Sequence, residues 1–488
     1  MALRTLFKRM RKESTGTPLF FYNTLGKEKQ RFELHSHTKE IRMYNCGPTV
    51  YGRQHIGNLS MFVFTDILRR TLEYNGFAVK QVINFTDFGH LSSDADEGED
   101  KMTKGLKHEG LAPTLENMKA LGEKYANLFL EDVRALNIEA DKITFPRASD
   151  YIPAQIAMIQ TLEEKGYAYR GKHGVYFDTS RFPEYGKLGN IDLAGLREGA
   201  RVASIGEKHN PTDFLLWKSD THIGWNSPWG KGFPGWHIEC SAMIRSCLGA
   251  QIDIHTGGIE HIPVHHNNEI AQSESATGKK PLSRFWLHRA HLQFDGGKMA
   301  KSEGNIVYLS DIIERGFHPL SFRYLLLGSH YRTSSNFSWE ALEAAQTAYK
   351  RLSTIRMQLP TDEPVPDRMF LKEFHERIND DLDTPGALAV LWNLLTNDAI
   401  SSEAKLASIL EADKIFGLKL NEPEALKAFS VSYVDVSDAP AEIKTALADR
   451  EKARAERDFA RADALRDTIR NAGYDIEDTA GGARLIKV

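Results

Sequence analysis

The sequence predicts a doubly wound α/β domain, interrupted by an inserted lobe and followed by a mostly α-helical C-terminal half. Three observations carry this. A strand, a glycine-containing turn, a helix and a second strand succeed one another between Ile41 and Phe85, the opening of a nucleotide-binding fold. Strand-like apolar runs resume at Gln251–His255 and Phe285–Arg289, after a stretch of different texture from about Phe145 to Lys231. Beyond Tyr308 the apolar spacing is helical almost throughout.

The opening Met1–Lys12 is basic and mildly amphipathic and lacks a signal peptide's apolar stretch and cleavage site, so residues 1–31 read as a native extension. Ile41–Asn45 is a strand ending in the Cys46-Gly47-Pro48 turn. Asn58–Tyr74 carries Leu59, Phe62, Val63, Ile67, Leu68 and Leu72 at helical spacing, and Val79–Phe85 is the next strand. Asp94, Asp96, Glu97, Glu99 and Asp100 make a run that reads as a solvated loop, with a local cation or a substrate gate as alternatives. Helices follow at Leu115–Leu136 and Pro153–Lys165, and a strand at Val175–Phe177. Val264–Thr277 is helical. Breaks are expected at Pro360–Pro366 and Leu418–Pro440. Residues 442–471 read as a helix packing one face through Ile443, Leu447, Phe459, Ala462, Leu465 and Ile469. Tyr474–Ile476 and Arg484–Lys487 form a closing strand pair. The implied organisation is an α/β domain over 32–144 and 232–315, an inserted lobe over 145–231, a helical stem over 316–425 and a C-terminal region over 426–488.

The 488 residues are 41% hydrophobic and 26% charged, ordinary for a soluble globular chain. No run of 18 apolar residues occurs, which argues against a membrane span. Three cysteines cannot build a disulfide framework and fit a reducing, cytoplasmic setting. A net charge of −4 neither demands nor excludes nucleic acid, because a local basic patch suffices for phosphate contact.

Two of the cysteines sit among other chemistry-bearing residues. Cys46 ends the first strand, Cys240 lies in Gly235-Trp236-His237-Ile238-Glu239-Cys240, and His265-His266-Asn267-Asn268-Glu269 adds further donors. His265 and Glu269 are four apart and share a helix face. Two thiolates, an imidazole and a carboxylate suit one zinc ion. Saturated structural zinc sites use cysteine and histidine, so a glutamate points to a site that exchanges a substrate ligand. Singly, each residue has a plainer reading, since buried cysteines are usually small apolar core residues. Cys247 lacks any motif and reads as filler. His237, His255 and His261 are candidate supporting or substrate groups.

His55-Ile56-Gly57-Asn58 lies where the first strand hands over to a helix. The imidazole and amide can donate to phosphate, Gly57 leaves room for a base or ribose, and the helix N-terminus favours anions. Lys298-Met299-Ala300-Lys301-Ser302, after Asp295-Gly296-Gly297, can neutralise a triphosphate. There is no GxxxxGK[ST] and no GxGxxG in the first turn, which disfavours P-loop ATPase and dinucleotide redox chemistry.

Together these segments strongly resemble the cysteinyl-tRNA synthetases, a class I aminoacyl-tRNA synthetase family, from about Phe32 to the C-terminus. The carriers are Cys46-Gly47-Pro48-Thr49-Val50-Tyr51, His55-Ile56-Gly57-Asn58, Gly235–Ser241, His265–Glu269 and Lys298–Ser302. The resemblance implies a Rossmann-type catalytic domain, an inserted lobe that binds the tRNA acceptor end, a helical stem and a C-terminal anticodon-recognition region. It implies one Zn2+ per subunit on Cys46, Cys240, His265 and Glu269, holding the thiolate of substrate cysteine. His55, Asn58, Lys298 and Lys301 would act in catalysis. Of these, His55 and Lys301, with Gly57, would hold ATP, and Thr49, Trp236 and His255 the amino acid. Asp458–Asp467 resembles the family's C-terminal helix. Ala300 stands where the signature loop usually has serine, Thr256 departs from HGGG, Pro263-Val264 from Phe-Pro, Asn267 from glutamate, and Asn84–His90 from NITDIDDK.

The expected reaction joins L-cysteine to tRNA(Cys) through a cysteinyl-adenylate, with Mg2+–ATP as co-substrate, in a chain expected to be a monomer. Cysteine and serine are near-isosteric, and shape alone separates such pairs by about 1–3 kcal/mol. A metal–thiolate bond reads the sulfur itself and removes the need for an editing domain. Two rivals share part of the pattern. One is a ligase joining cysteine to glucosaminyl-inositol, which resembles a synthetase without the C-terminal region. The other is a non-catalytic RNA-binding paralogue, expected to have lost His55, Asn58 or Lys301. A zinc hydrolase would leave both phosphate motifs idle.

Overall fold

The structure, a computed structural model, describes residues 17–34, 40–88, 101–191, 208–294, 297–298, 306–360, 365–427, 432–479 and 482–487. The acidic run 94–100, the first 16 residues and Met299–Ser302 lie outside these ranges.

Parallel strands β1 (Glu40–Asn45), β2 (Ala78–Ile83), β3 (Ile143–Thr144), β4 (Ile252–Gly258) and β5 (Ser283–Arg289) form one sheet in the order β5-β4-β1-β2-β3. The chain moves outward from β1 through β2 to β3, then returns to the other side for β4 and β5. The order therefore reverses between β1 and β4, and a crevice opens beyond their carboxyl ends. Side chains alternate across the sheet. Tyr44, Val82 and Trp286 join a core with Ile238 and Ile270, whereas Met43, Ile254 and Phe285 join Phe64 and Leu68. β4 is buried along its whole length, as a strand covered on both faces must be.

Helix α1 (Ile56–Tyr74) connects β1 to β2 and buries Leu59, Phe62, Val63, Ile67, Leu68 and Leu72, the stripe expected from spacing. His55 caps it, with Nδ1 accepting the Asn58 amide at 3.3 Å. α2 (Trp236–Cys247) packs against α3 (His265–Thr277). α3 is buried from His265 to Ala276 despite its polar sequence.

A second, antiparallel sheet follows the order Ala168–Arg170, Gly174–Phe177, Phe214–Ser219, Gly230–Pro234, Trp225–Ser227. It stands apart from the parallel sheet. The stretch read as an N-terminal extension contains a hairpin, Phe20–Asn23 with Glu28–Arg31. The hairpin belongs to the folded body: Thr24 N–H donates to Trp286 O at 2.9 Å and Phe20 N–H to Asn379 O at 2.8 Å. Its strands are too short and Glu28–Arg31 too polar for periodicity to reveal them.

Beyond Tyr308 the helices run as expected, with an added strand, Ser335–Phe337, that pairs with Leu292–Phe294. A buried ion cluster ties this half to α1. Asp66 accepts from Arg69 Nη2 at 2.6 Å, Arg70 Nε at 2.7 Å and Arg323 Nη2 at 2.6 Å. Arg323 also donates to Phe416 O and Leu136 O. At the C-terminus the expected single helix is two, Ala441–Ala455 and Phe459–Asn471. Arg457 at φ +60° breaks the first, and Asp458 caps the second by accepting the Arg461 amide. Ile443, Leu447, Ala462 and Ile469 are buried as expected, but Phe459 is 63% exposed because it starts the second helix. The closing strand pair is present and gains a third member, Ser432–Val434.

Candidate functional site

The crevice at the β1–β4 switch point is lined by cysteine, histidine and glutamate. Cys46 follows β1 directly. Gly47 lets that turn press against the chain leaving β2: a Cβ there would lie 1.6 Å from Asn84 O. The Gly47 amide donates to Asn84 Oδ1 at 2.8 Å. α2 delivers Cys240, and α3 delivers His265 and Glu269. The four donor atoms lie within 4.8 Å of one another and all four residues are buried.

Surrounding groups hold the His265 ring and the Glu269 carboxylate in place. His265 Nδ1 meets His237 Nδ1 at 2.8 Å, which leaves His265 Nε2 facing Glu269 Oε1 at 2.9 Å. Trp236 stacks on the His265 ring with centroids 4.2 Å apart. Glu269 Oε2 is bonded to His255 Nε2 at 2.9 Å. His255, expected at the substrate, is fully buried and stacks on Trp286 at 4.4 Å, so its observed contact is with the ligand carboxylate.

A second donor set, Cys46, His255, His266 and Glu269, overlaps the first. His266 Nε2 is 3.3 Å from Cys46 Sγ, and its Nδ1 is 2.8 Å from His288 Nε2. His288 Nδ1 in turn meets Thr24 Oγ1 at 2.7 Å. Gly257 makes room for these rings, since a Cβ there would lie 2.6 Å from both His261 Nδ1 and His266 Cε1. Sequence reasoning gave neither His266 nor His288 a role of its own. For His266 the available signal was its place beside His265 in a donor-bearing segment.

Charge in the cluster is uneven. Burial, then a hydrogen bond to Cys240, pushes the Cys46 thiol well up, and that same bond brings Cys240 down to about 6. Burial opposes a charged His265, but Glu269 and Cys240 outweigh it and raise that imidazole to about 10. Burial lowers His261 to about 4 and pushes His237, His266 and His288 well below the usual imidazole range. The protein thus presents one thiolate, an anionic carboxylate and several neutral imidazoles. This donor set fits zinc, and binding would release the protons held on Cys46 and His265.

The His55–Asn58 turn lies at the same edge. His55 and Gly57 are partly exposed and Asn58 is exposed, with Asn58 Nδ2 donating to Gln54 Oε1 at 2.7 Å. Thr49 is partly exposed and bridges to Thr86. The backbone of Lys298 pairs with Gln293, and Lys301 lies outside the described residues. Past the loop, the chain returns beside the first motif: Ile56 N–H donates to Val307 O at 2.9 Å and His55 bridges to Tyr308. The far end of the lysine loop is therefore anchored beside His55.

Comparison with known proteins agrees with this geometry. Residues 32–347 match the tRNA synthetases class I (C) catalytic domain, and residues 436–484 match the cysteinyl-tRNA ligase anticodon binding domain. Cysteine–tRNA ligase 1 of Burkholderia lata is 45% identical over 474 residues, covering 96% of this chain and 97% of that protein. The Treponema denticola cysteine–tRNA ligase is 39% identical over 493 residues, covering 95% and 98%. Among solved structures, Mycobacterium tuberculosis methionyl-tRNA synthetase bound by methionyl-adenylate superimposes with a TM-score of 0.55 at 14% identity, covering 80% of this chain and 93% of that one, a likeness of fold. With its zinc-binding cluster, its catalytic-domain match and its C-terminal match, the chain belongs to the cysteinyl-tRNA synthetase family.

Proposed function

We propose that this chain activates L-cysteine with Mg2+–ATP to cysteinyl-adenylate and transfers the cysteinyl group to the terminal ribose 2′-hydroxyl of tRNA(Cys). The observation that carries the reading is the buried Cys46–Cys240–His265–Glu269 cluster at the switch point, beside the His55–Asn58 turn. When bound, zinc supplies a borderline-soft cation that takes a thiolate in preference to a hydroxyl. Cys46, Cys240, His265 and Glu269 hold it. His237 and His255 fix the ligand rings and carboxylate, and Trp236 walls the pocket above His265. Thr49 contributes to the amino-acid pocket from the turn after β1.

His55 and Asn58 donate to ATP phosphate, Gly57 admits the adenosine, and Lys298 and Lys301 neutralise the phosphoryl charge that develops during attack. The anchoring of residues 307–308 beside His55 supports this reading of the loop. Residues 145–231 bind the acceptor end and 426–488 the anticodon, with 32–144 and 232–315 forming the catalytic domain and 316–425 the stem. The match of residues 436–484 to an anticodon-binding domain argues against the amino-sugar ligase. The enzyme acts as a monomer in the cytoplasm. No described helix is long and apolar enough to cross a membrane.

Cysteine-dependent ATP–pyrophosphate exchange followed by tRNA(Cys) charging tests the reading. Exchange with cysteine but not serine is expected. No exchange in zinc-loaded protein with magnesium present would overturn it.

A further inference from the structure

Arg289 ends β5 at the same carboxyl edge as the site, yet no motif includes it. It is 4% exposed, and burial alone moves its pKa, down to about 10, so it stays cationic at neutral pH. Among the described residues no carboxylate pairs with it, and its Nη2 has no hydrogen-bond partner. Its Nε donates to Ser60 Oγ at 3.0 Å, and Ser60 Oγ donates to Gly57 O at 2.7 Å. The guanidinium borders a cavity of about 10 Å³ shared with Val63, Phe64, Leu326 and Tyr331, which has room for one water but not for a phosphate.

A buried cation without a counter-ion is costly in a folded chain. Here it lies against the first turn of α1, whose own N-terminus is the positive end of the helix. The two positive fields repel in the free protein, and an anion docked on that turn offsets both. The adjacent motif suited to a large anion is His55-Ile56-Gly57-Asn58, whose Gly57 carbonyl Arg289 reaches through Ser60.

We infer that Arg289 is a positioning residue for ATP: it clamps the Gly57 turn through Ser60 and lends its uncompensated charge to the triphosphate site. This rests on the proposed nucleotide role of His55–Asn58. Arg289 acts through that turn and need not touch the reacting atoms.

The test is ATP–pyrophosphate exchange on zinc-loaded full-length protein, with KM for ATP and for cysteine measured separately. A thermal shift on adding Mg2+–ATP without cysteine gives a reading independent of turnover. Arg289→Met is expected to raise the KM for ATP about tenfold, by the loss of one favourable charge at short range, and to shrink the ATP-induced shift. The KM for cysteine and the zinc content stay unchanged. Arg289→Lys, which keeps the charge, recovers most of the ATP affinity. Ser60→Ala, which cuts the clamp and keeps the charge, gives an intermediate loss. A folded Arg289→Met with an ATP KM within twofold of the parent overturns the inference, as does an equal rise in both KM values. If Arg289→Met does not fold, the decision passes to the other two: wild-type ATP KM in Ser60→Ala, or a tenfold rise in Arg289→Lys, overturns it. His55→Ala separates the two levels. If that variant keeps its ATP KM, the nucleotide reading of the turn fails; if it loses ATP affinity and Arg289→Met does not, only the role of Arg289 fails.

Discussion

Replacing Asp66 by asparagine removes the anion on which α1 and the helical half are joined. Burial would raise this carboxyl, but Arg323, Arg70 and Arg69 outweigh it and hold the group well below the usual carboxylate range. All three guanidinium groups bond to it, and Asp66, Arg69 and Arg323 have fully buried side chains. Asparagine keeps one acceptor oxygen and turns an NH2 group toward cations that can only donate. Breaking one side of a buried ion cluster costs about 3–5 kcal/mol. For a cooperative unit of 150–250 residues that is a fall in Tm of roughly 6–20 °C. Scanning fluorimetry of zinc-loaded protein measures it. The sign of the pH dependence follows from the depressed folded pKa. The contribution is complete above the unfolded value of about 3.9 and is lost as pH falls below that toward the folded value. The gap between parent and Asp66→Asn should therefore be widest near neutral pH and narrow below about pH 4. A fall in Tm under about 2 °C at pH 7, by the scaling above, or a gap that widens in acid, would refute the reasoning.

Cys240→Ser should lower zinc content after dialysis and cut the preference for cysteine over serine in exchange to no more than the about 1–3 kcal/mol that shape supplies; full zinc content with intact preference would count against sulfur recognition by this cluster. Gly47→Ala places a methyl group against the Asn84 carbonyl, so a loss of at least about 1–3 kcal/mol is expected, visible as a lowered urea midpoint together with lost zinc. Phe459→Ser should leave the urea midpoint within the roughly 0.5 kcal/mol typical of surface changes, because the ring is already 63% exposed; a large destabilisation would return Phe459 to the packed face. Trp236→Ala removes the ring stacked on His265 and should raise the KM for cysteine more than the KM for ATP, read from exchange at varied concentrations of each.

Much of the fold was legible in local pattern. α1 followed from six apolar residues at helical spacing, and β1, β2, β4 and β5 from short apolar runs. In the inserted antiparallel sheet only Val175–Phe177 was read as a strand: Ala168–Arg170 and Trp225–Ser227 are three residues long and partly polar, whereas the apolar run Phe214–Trp217 was a signal passed over. The hairpin at Phe20–Arg31 and the break at Arg457 were hidden for related reasons: neither four-residue strands nor one left-handed residue leave a periodic signal.

The metal donors were visible as residue types, since few side chains other than cysteine, histidine and the carboxylates bind zinc and four of them stood in motifs. Their residue chemistry, the His55–Asn58 turn motif and the lysine-bearing segment Lys298–Ser302 are properties of the sequence by itself. Tertiary structure alone decided how the donors divide. Strand order brings Cys46 against Glu269, 223 positions further along the chain. The complete burial of the first turns of α3 lets the adjacent His265 and His266 serve overlapping donor sets. Tertiary structure also set Arg289 on Ser60 and Arg323 on Asp66. Those pairings depend on sheet register and helix packing between segments more than 200 residues apart, and side-chain spacing along the chain carries no record of them.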